Sequence, residues 1–165
     1  MVAKIYIETF VFGFLYDESE ANRYKRKITA KFFEQIRKGY FMVYISPITI
    51  AELNRTKEIT LREKFKELLN EIDFEFLDID EWKKNDFNNI VTNLIIRKII
   101  PEDKKDDAAH IAIVTLTPDI DFFVTWNCTH LANKNVFRCV KATLLSLGFE
   151  PKFDMATPEE VIKYE

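Results

Sequence analysis

Apolar residues along this chain fall into two patterns: short continuous runs, and longer stretches in which they recur every three or four positions. The short runs predict strands, because a strand covered on both faces of a parallel sheet is apolar along its whole length. The clearest runs lie at residues 3–8, 42–45 and 122–124. Two weaker runs, at residues 74–77 and 152–155, predict a short extended segment and an edge strand.

Stretches with helical periodicity separate these runs, and each has one apolar face that can pack on a sheet. The predicted helices cover residues 19–38, a segment that starts at Ser46-Pro47, and residues 58–72, 80–100, 106–117, 129–133 and 138–147, with a final turn from Thr157-Pro158. Gly39 and Gly148 are helix stops, and Pro101 closes the helix at 80–100. Residues 10–16 continue the apolar character of the first strand, and we expect an irregular connector packed on the core.

The alternation of strands and helices predicts an α/β fold in three layers. Its sheet is expected to be mainly parallel, with four to five strands and helices on both faces. The length of 165 residues suits one domain, and no linker, repeat or low-complexity tract divides the chain. We therefore predict a single domain over residues 1–165. Its core should be rich in aromatic rings, because 15 residues are phenylalanine.

Composition excludes several classes of protein. Only 3 glycines are present, and neither G-x-x-x-x-G-K-[ST] nor G-x-G-x-x-G occurs, so the usual nucleotide-binding loops are missing. Cys128 and Cys139 lack the spacing of a zinc site, and we expect free, buried thiols in a reducing cytosol. No stretch approaches the ~20 apolar residues that span a bilayer, and no secretory signal is visible. We expect a cytoplasmic protein with no membrane association.

The net charge of the chain and its local distribution support different interpretations. The formal net charge of -3 disfavours strong non-specific binding to a polyanion, which depends on Lys and Arg displacing counterions. The first half of the helix at 19–38 is nevertheless basic. Its basic residues are Arg23, Lys25, Arg26, Lys27 and Lys31. They form either a solvated helix face, which is the commoner case, or a contact surface for an RNA backbone.

Four polar residues stand where such a sheet would bring them together. Glu8 ends the first strand, and Glu52 lies in the helix after the second strand. Asp107 begins the helix before the strand at 122–124, and Asn127 follows that strand. Ligands of open α/β sheets bind beyond the carboxyl ends of the strands, so we expect these side chains to converge there. Carboxylates in one cleft repel each other, and a hard cation such as Mg²⁺ or Mn²⁺ relieves the repulsion through oxygen ligands.

Each of these acids also has an ordinary structural explanation. Asp106 and Asp107 are favoured near the start of any helix, where unpaired N–H groups and the helix dipole attract negative charge. Glu8 could mark only the exit of its strand into solvent, and Glu52 could be a solvated acid on its helix. The combination of all these positions in one chain is what favours a common site.

Four segments of the sequence resemble the PIN domain family, the metal-dependent ribonucleases that include the VapC-like toxins of toxin–antitoxin pairs. In the family's order, these segments are Lys4-Ile5-Tyr6-Ile7-Glu8-Thr9 with Val11-Phe12-Gly13-Phe14, Ser46-Pro47 through Ala51-Glu52-Leu53, Asp106-Asp107-Ala108-Ala109-His110-Ile111-Ala112, and Val124-Thr125-Trp126-Asn127 with His130-Leu131. The resemblance implies a Rossmann-like PIN fold and endonucleolytic cleavage of RNA. It places Mg²⁺ or Mn²⁺ at Glu8, Glu52 and Asp107, with Asn127 assisting. It also implies a small antitoxin partner, and homodimers are common in the family.

Two residues depart from the pattern of that family. Asp is usual where Glu8 stands, and many relatives carry a fourth acid where Asn127 stands. The longer Glu8 side chain would shift a ligand of Mg²⁺, which demands near-ideal octahedral geometry. Asn127 brings no charge. The alternative prediction is therefore a PIN-fold module that has lost catalysis and binds protein or RNA.

Five further side chains could support the acidic cluster by hydrogen bonds. They are Thr9, Asp106, His110, Thr125 and His130. His110 lies three residues after Asp107 on a nearby helix face, where it could shuttle a proton, orient a ligand or simply pack with a satisfied hydrogen bond. For His130 a structural role is favoured. We expect Tyr6 and Trp126 in the core rather than as platforms for stacked bases.

Overall fold

The structure is a computed structural model that describes residues 1–164 and contains a five-stranded sheet. The strands are β1 (Ala3–Ile7), β2 (Phe41–Ile45), β3 (Glu75–Phe76), β4 (Phe122–Val124) and β5 (Asp154–Ala156). Every neighbouring pair is parallel, and the order is β3-β2-β1-β4-β5, so β1 is central. The two weaker runs of the sequence form the two edge strands. The predicted parallel sheet is confirmed.

Helices connect the strands and cover the sheet. They are α1 (Thr9–Leu15), α2 (Arg23–Arg37), α3 (Pro47–Asn54), α4 (Ile59–Glu71), α5 (Lys84–Ile96), α6 (Lys105–Thr115), α7 (Lys134–Ser146) and α8 (Pro158–Val161). Short 3-10 turns at Glu20–Asn22, Glu81–Lys83 and Glu102–Lys104 precede α2, α5 and α6. Within residues 1–164, none of the helices has the length and apolar character needed to cross a bilayer.

The two faces of the sheet carry separate halves of the core. Ile5 and Ile7 of β1 pack with buried residues of α1, α2 and α4 on one face. Tyr6 points to the other face and packs with buried residues of α5, α6 and α7. This division follows from the period of two along a strand, which sends successive side chains to opposite faces. The predicted three-layer α/β/α arrangement is confirmed.

Aromatic rings fill much of this core, as the composition predicted. Phe12, Phe32 and Phe33 are completely buried, and their ring centroids lie 5.6 Å (Phe12–Phe33) and 5.7 Å (Phe32–Phe33) apart. Burial of each side chain of this size contributes roughly 1.5–3 kcal/mol to stability. Tyr6 and Trp126 are also buried, so their prediction as core residues is confirmed. The expectation of buried thiols was wrong, because Cys128 lies in the turn after β4 and Cys139 on the solvent side of α7, and both are exposed.

The prediction of an irregular connector at residues 10–16 was wrong, because this segment belongs to helix α1. Glu8 is the N-cap of α1, and its carboxylate accepts a hydrogen bond from the N–H of Phe10. Val11 and Phe12 turn inward and are completely buried. The cap and this burial stabilise a helix whose own sequence pattern is too short to show a period.

The predicted helix at residues 129–133 was also wrong. This segment is a turn, in which the N–H groups of Leu131 and Ala132 both donate to the carbonyl of Asn127, at 3.0 and 2.8 Å. The next helix, α7, begins at Lys134 rather than at residue 138. Its early start follows from the side chain of Asn133, which caps the first turn.

The helix predicted over residues 80–100 is shorter, because α5 ends at Ile96. Lys98 adopts a φ of 58°, in the left-handed region, and the chain then turns back. The N–H of Ile100 donates to the carbonyl of Leu94 at 3.1 Å, and Ile100 is completely buried. Pro101 therefore precedes the following 3-10 turn instead of closing the helix.

Candidate active site

The candidate site lies at the carboxyl end of β1, where the chain enters α1. Glu8 stands at this point and is completely buried, so it does not mark an exit into solvent. Its Oε1 accepts the N–H of Phe10 at 3.0 Å, and its Oε2 accepts the hydroxyl of Thr125 at 2.5 Å. Both oxygens of Glu8 therefore receive hydrogen bonds from inside the protein.

Thr125 and Asn127 follow β4 and link Glu8 to Asp107. The hydroxyl oxygen of Thr125 accepts the N–H of Asn127 at 2.9 Å. The side-chain Nδ2 of Asn127 donates to Oδ2 of Asp107 at 3.2 Å. Its Oδ1 accepts the N–H of His130 at 3.1 Å. Asn127 thus holds Asp107 with a hydrogen bond and adds no charge beside it.

Burial and mutual repulsion raise the pKa values of two carboxyl groups here. Burial raises the pKa of Glu8 to about 7 against the opposing effects of His110 and the two hydrogen bonds, and the charge of Asp107 adds to the rise. Burial also raises the pKa of Asp107, with the charge of Glu52 acting in the same direction and His110 opposing it. The charge of Asp107 thus acts on the pKa of Glu8, and the charge of Glu52 acts on the pKa of Asp107. The three carboxyl groups share one electrostatic environment.

Glu52 enters this environment from α3 and remains partly exposed. Its Oε1 accepts the hydroxyl of Thr9 at 2.9 Å and lies 2.5 Å from Nε2 of His110. Burial acts to raise the pKa of Glu52, but the hydrogen bond and charge of His110, together with Thr9, outweigh it and lower the pKa below its ordinary value. The contacts of Glu52 therefore favour its ionised form.

A chain of hydrogen bonds that the sequence did not predict connects Glu52 to the interior of the protein. Nδ1 of the buried His110 lies 2.5 Å from the hydroxyl of Tyr6, which lies 2.7 Å from the hydroxyl of Ser46. Burial raises the pKa of Tyr6 well above its usual range, so Tyr6 keeps its proton. Ser46, Tyr6, His110 and Glu52 therefore form one continuous hydrogen-bonded chain.

The remaining predicted residues lie at the margin of this network. Asp106 is partly exposed and pairs with Arg55 at 3.0 Å, so it does not support the other carboxylates directly. His130 contributes its backbone N–H. Neither Asp106 nor Asp107 caps α6 with its side chain, since the N-cap position belongs to Lys104. Both acids do lie in the first turn, where the helix dipole favours negative charge.

An open cleft of about 480 Å³ lies over the site. Its lining residues are Phe10, Glu52, Asp103, Lys104, Lys105, Asp106, Asp107, Asn127, Thr129 and His130. Glu8 is not among them and lies below the surface of the cleft. The cleft therefore has an acidic floor, made by Glu52 and Asp107, and two further acids and two lysines also line it.

The chemistry of the cleft suits a hard divalent cation, because its central ligands are carboxylate and amide oxygens. Within the part of the chain that the structure describes, no three His, Cys, Asp or Glu side chains are already arranged to hold a metal ion. Mg²⁺ commonly uses only one or two carboxylates and completes its shell with water and substrate phosphate. Glu52 and Asp107 fit that mode. Glu8, with both oxygens hydrogen-bonded, fits a supporting position beneath them.

Comparisons with known proteins bear on the fold. No protein-family model and no curated protein match the sequence. A solved structure does match: a chain in the crystal structure of VapBC2 from Rickettsia felis bound to a DNA fragment from their promoter. The match covers 93% of this chain and 98% of that chain, with a TM-score of 0.55 and 13% sequence identity. At this identity the likeness shows the fold alone, which is a PIN-like, Rossmann-like α/β fold with a parallel five-stranded sheet.

Proposed function

We propose that this protein is a metal-dependent endoribonuclease of the VapC-like toxin type, which hydrolyses RNA phosphodiesters with Mg²⁺ or Mn²⁺. The observation that carries the proposal is geometric: Glu52 and Asp107 line one open cleft, and hydrogen bonds through Thr125 and Asn127 join Asp107 to the buried Glu8. The likeness in fold to a chain of the VapBC2 complex supports the same function.

In this proposal Glu52 and Asp107 hold the cation, and Glu8 supports them from below. The hydrogen bonds to Glu52 and Asp107 go to Oε1 and Oδ2, which leaves the second oxygen of each available to a ligand. When bound, Mg²⁺ or Mn²⁺ supplies activation of water and neutralisation of charge on the phosphate. His110 and Asn127 fix the orientation of the two carboxylates before substrate arrives.

An RNA cleavage assay tests the proposal. Cleavage should require MgCl₂ or MnCl₂ and stop when EDTA is added. Asp107→Asn and Glu8→Gln should each lower the rate at least about 100-fold, the upper range for loss of a group that orients a metal ligand. Asp86→Asn is a matched control, because Asp86 lies in the first turn of α5 as Asp107 lies in that of α6. Cleavage that persists in both Asp107→Asn and Glu8→Gln would rule out this mechanism.

The second candidate is a PIN-fold module that binds RNA or protein without cleavage. The hydrogen bonds that occupy both oxygens of Glu8 favour it, and so does the uncharged Asn127. Calorimetric titration with MnCl₂ separates the two candidates. Tight binding that Asp107→Asn abolishes supports the nuclease, whereas RNA binding without any uptake of Mn²⁺ supports the binding module.

We also propose a small antitoxin as protein partner, and a homodimer, on the basis of the resemblance and of the likeness to the VapBC2 complex. A basic side chain of such a partner could enter the acidic cleft and replace the cation. Light scattering tests the dimer, for which the mass should be twice the 19.6 kDa of one chain. A partner that masks the cleft should suppress the binding of Mn²⁺, and calorimetry of the complex measures this directly.

A further inference from the structure

Phe10 is an apolar ring that remains exposed at the mouth of the acidic cleft. It is 48% exposed, whereas its neighbours Val11 and Phe12 on the same helix are completely buried. The ring lines the cleft together with Glu52 and Asp107. A single exposed apolar side chain is ordinary on a protein surface, and what distinguishes Phe10 is its place in the lining of the acidic cleft, where a bound ligand would contact it.

The same ring borders a second, shallower hollow on the outer side of α1. This hollow has a volume of about 260 Å³ and is lined by Phe10, Gly13, Phe14 and Asp17. Gly13 lies one turn after Phe10 on the same side of the helix. A Cβ atom at Gly13 would meet no atom within 4 Å, so the space beside the ring is open. Phe10 thus stands between the cleft and the hollow, and it contacts both.

The main chain holds this ring in a fixed relation to the carboxylates. The N–H of Phe10 donates to Glu8, and the preceding residue, Thr9, donates to Glu52. A planar group that lies on Phe10 would therefore have a defined position relative to both acids. Such coupling to a rigid element is what a substrate-positioning site requires.

Lysines lie on both sides of the ring, among acidic residues: Asp17 lines the hollow, and Asp103 and Asp106 line the cleft. Beyond the hollow, Nζ of Lys25 lies 4.8 Å from the ring centroid of Phe14 and 5.5 Å from that of Trp126. Lys104 and Lys105 line the cleft on which Phe10 also borders. A chain of phosphates that passed over the acidic floor and along α1 would meet lysine at both ends of its path.

We propose that Phe10 stacks against one base of a single-stranded RNA whose backbone crosses the acidic cleft and continues toward Lys25. The inference rests on the proposed function for its class of substrate. Stacking tolerates any base, because every base has a π-face, but it requires a base that is not stacked in a duplex. Lysines on both sides of the ring, together with a cation held by the carboxylates, favour nucleic acid over a protein anchor.

The test measures RNA affinity separately from cleavage. The probe is a fluorescein-labelled single-stranded RNA of about 12 nucleotides, within the site sizes of known single-strand binders. Its binding is followed by fluorescence anisotropy in EDTA and in CaCl₂, with gels to show that it stays intact. Phe10→Ala should weaken binding roughly 5- to 100-fold, the range for loss of one stacked base. Phe10→Trp should retain binding within about 3-fold, because indole also stacks.

Trp82→Ala is the matched control. Trp82 is 73% exposed, lies 4.9 Å from Nζ of Lys83, and lines a cleft of about 390 Å³ at the opposite, amino-terminal end of the strands. Its replacement should leave RNA affinity unchanged. Because Phe10 and Trp82 are both exposed, circular dichroism and melting temperature should show that both variants fold.

An RNA with abasic sites supplies a readout that a purely structural effect would not change. Wild type and Phe10→Ala should bind it with equal affinity, because it has no base to stack. Equal affinity of the two proteins for the ordinary RNA overturns the proposal and leaves the surface to a protein partner. Equal weakening by Phe10→Ala on the ordinary and the abasic RNA, or weakening by Trp82→Ala, also overturns it.

The cleavage assay distinguishes failure of this inference from failure of the proposed function. If the wild type cleaves RNA and Phe10→Ala changes neither the RNA affinity nor KM, the stacking site is refuted and the nuclease function stands. A protein that never cleaves, but loses RNA affinity in Phe10→Ala and keeps it in Phe10→Trp, refutes the nuclease and supports the stacking site.

Discussion

Nε2 of His110 lies 2.5 Å from Oε1 of Glu52, and this contact connects the most exposed carboxylate of the site to the interior of the sheet. His110 itself has no exposed surface. Its other ring nitrogen contacts Tyr6, in the central strand β1. The position of Glu52 is therefore determined by the packing of α6 against β1 and not only by its own helix. A carboxylate held in this way loses little freedom when it binds a cation.

Replacement of His110 by Ala should destabilise the fold and weaken metal binding together. The variant removes one of the two hydrogen-bond partners of the buried Tyr6 hydroxyl and leaves Ser46 as the other, which costs about 0.5–1.5 kcal/mol, and the empty volume adds to this. Mn²⁺ affinity should fall about 10- to 100-fold, as for loss of a group that orients a ligand. Urea denaturation and calorimetry measure the two effects. His130→Ala is the stability control, since His130 joins the network through its backbone N–H, and its effect should stay within about 0.5 kcal/mol. Undiminished Mn²⁺ affinity in His110→Ala would show that this contact does not orient Glu52.

Glu8 should make the protein less stable as the pH rises from about 4.5 to about 7. The pKa of Glu8 is raised from its ordinary value of 4.5 to about 7, so the folded state retains a proton that the unfolded chain has lost. Between these values the folded state binds more protons, and a rise in pH therefore favours unfolding. The shift corresponds to roughly 3 kcal/mol. Urea denaturation in EDTA at about pH 5 and pH 8 measures this loss.

Glu8→Gln is the variant that isolates this effect, because glutamine has no proton to lose. Relative to wild type, the variant should gain stability between pH 5 and pH 8. Glu52→Gln should behave differently, because the lowered pKa of Glu52 gives stability that is present above the ordinary pKa and is lost only in more acidic solution. If Glu8→Gln and wild type lose the same free energy of unfolding between pH 5 and pH 8, Glu8 is not the responsible group.

The sheet could be predicted because its signals are local. The runs at residues 42–45 and 122–124 are apolar throughout, and the run at residues 3–8 is apolar except for Lys4 and Glu8. Each of the three forms a strand that is covered on both faces. Helix α1 could not be predicted in this way. It depends on a cap from Glu8 and on burial of Val11 and Phe12 against other elements, and neither is visible in a pattern of seven residues.

The site was predictable in its outline but not in its hydrogen bonds. A parallel sheet brings the carboxyl ends of its strands to one edge, which is why Glu8, Glu52 and Asp107 could be expected together. The partner of each carboxylate depends on how helices pack. Ser46 illustrates the difference: it takes the predicted N-cap position of α3, but its hydroxyl contacts Tyr6 and makes no cap. Strand alternation, which turns Tyr6 toward α6, was the one available signal for that contact.

Mn²⁺ or Mg²⁺ should stabilise the folded protein, and more strongly at pH 8 than at pH 5. Protons compete with the cation, because burial raises the pKa values of Asp107 and Glu8. At a free concentration about 100 times the dissociation constant, the cation should add about 2.7 kcal/mol to the free energy of unfolding. Thermal unfolding with and without MnCl₂ measures the gain. Asp107→Asn should abolish it and Asp86→Asn should retain it. An equal gain in Asp107→Asn would place the cation elsewhere on the protein.

Asn127→Asp should lower stability without metal and strengthen metal binding. Nδ2 of Asn127 now donates to Oδ2 of Asp107 at 3.2 Å, and the variant would set two carboxylates against each other. Two such charges about 4 Å apart repel by about 4 kcal/mol at an effective dielectric constant near 20, and proton uptake reduces this, so we expect a loss of about 1–3 kcal/mol in EDTA at pH 8. An aspartate at position 127 still has an oxygen that can accept the N–H of His130.

The matched control for this change is Asn127→Ala, which removes the amide donor and adds no charge. Both variants should be less stable than wild type in EDTA, because both lose the hydrogen bond to Asp107. Only Asn127→Asp should recover stability when MnCl₂ is added. It should also bind Mn²⁺ more tightly than the wild type, by about tenfold or more, because an added carboxylate increases the negative charge around the cation. If the two variants respond equally to MnCl₂, position 127 does not face the cation, and the assignment of Asn127 to the metal site would be wrong.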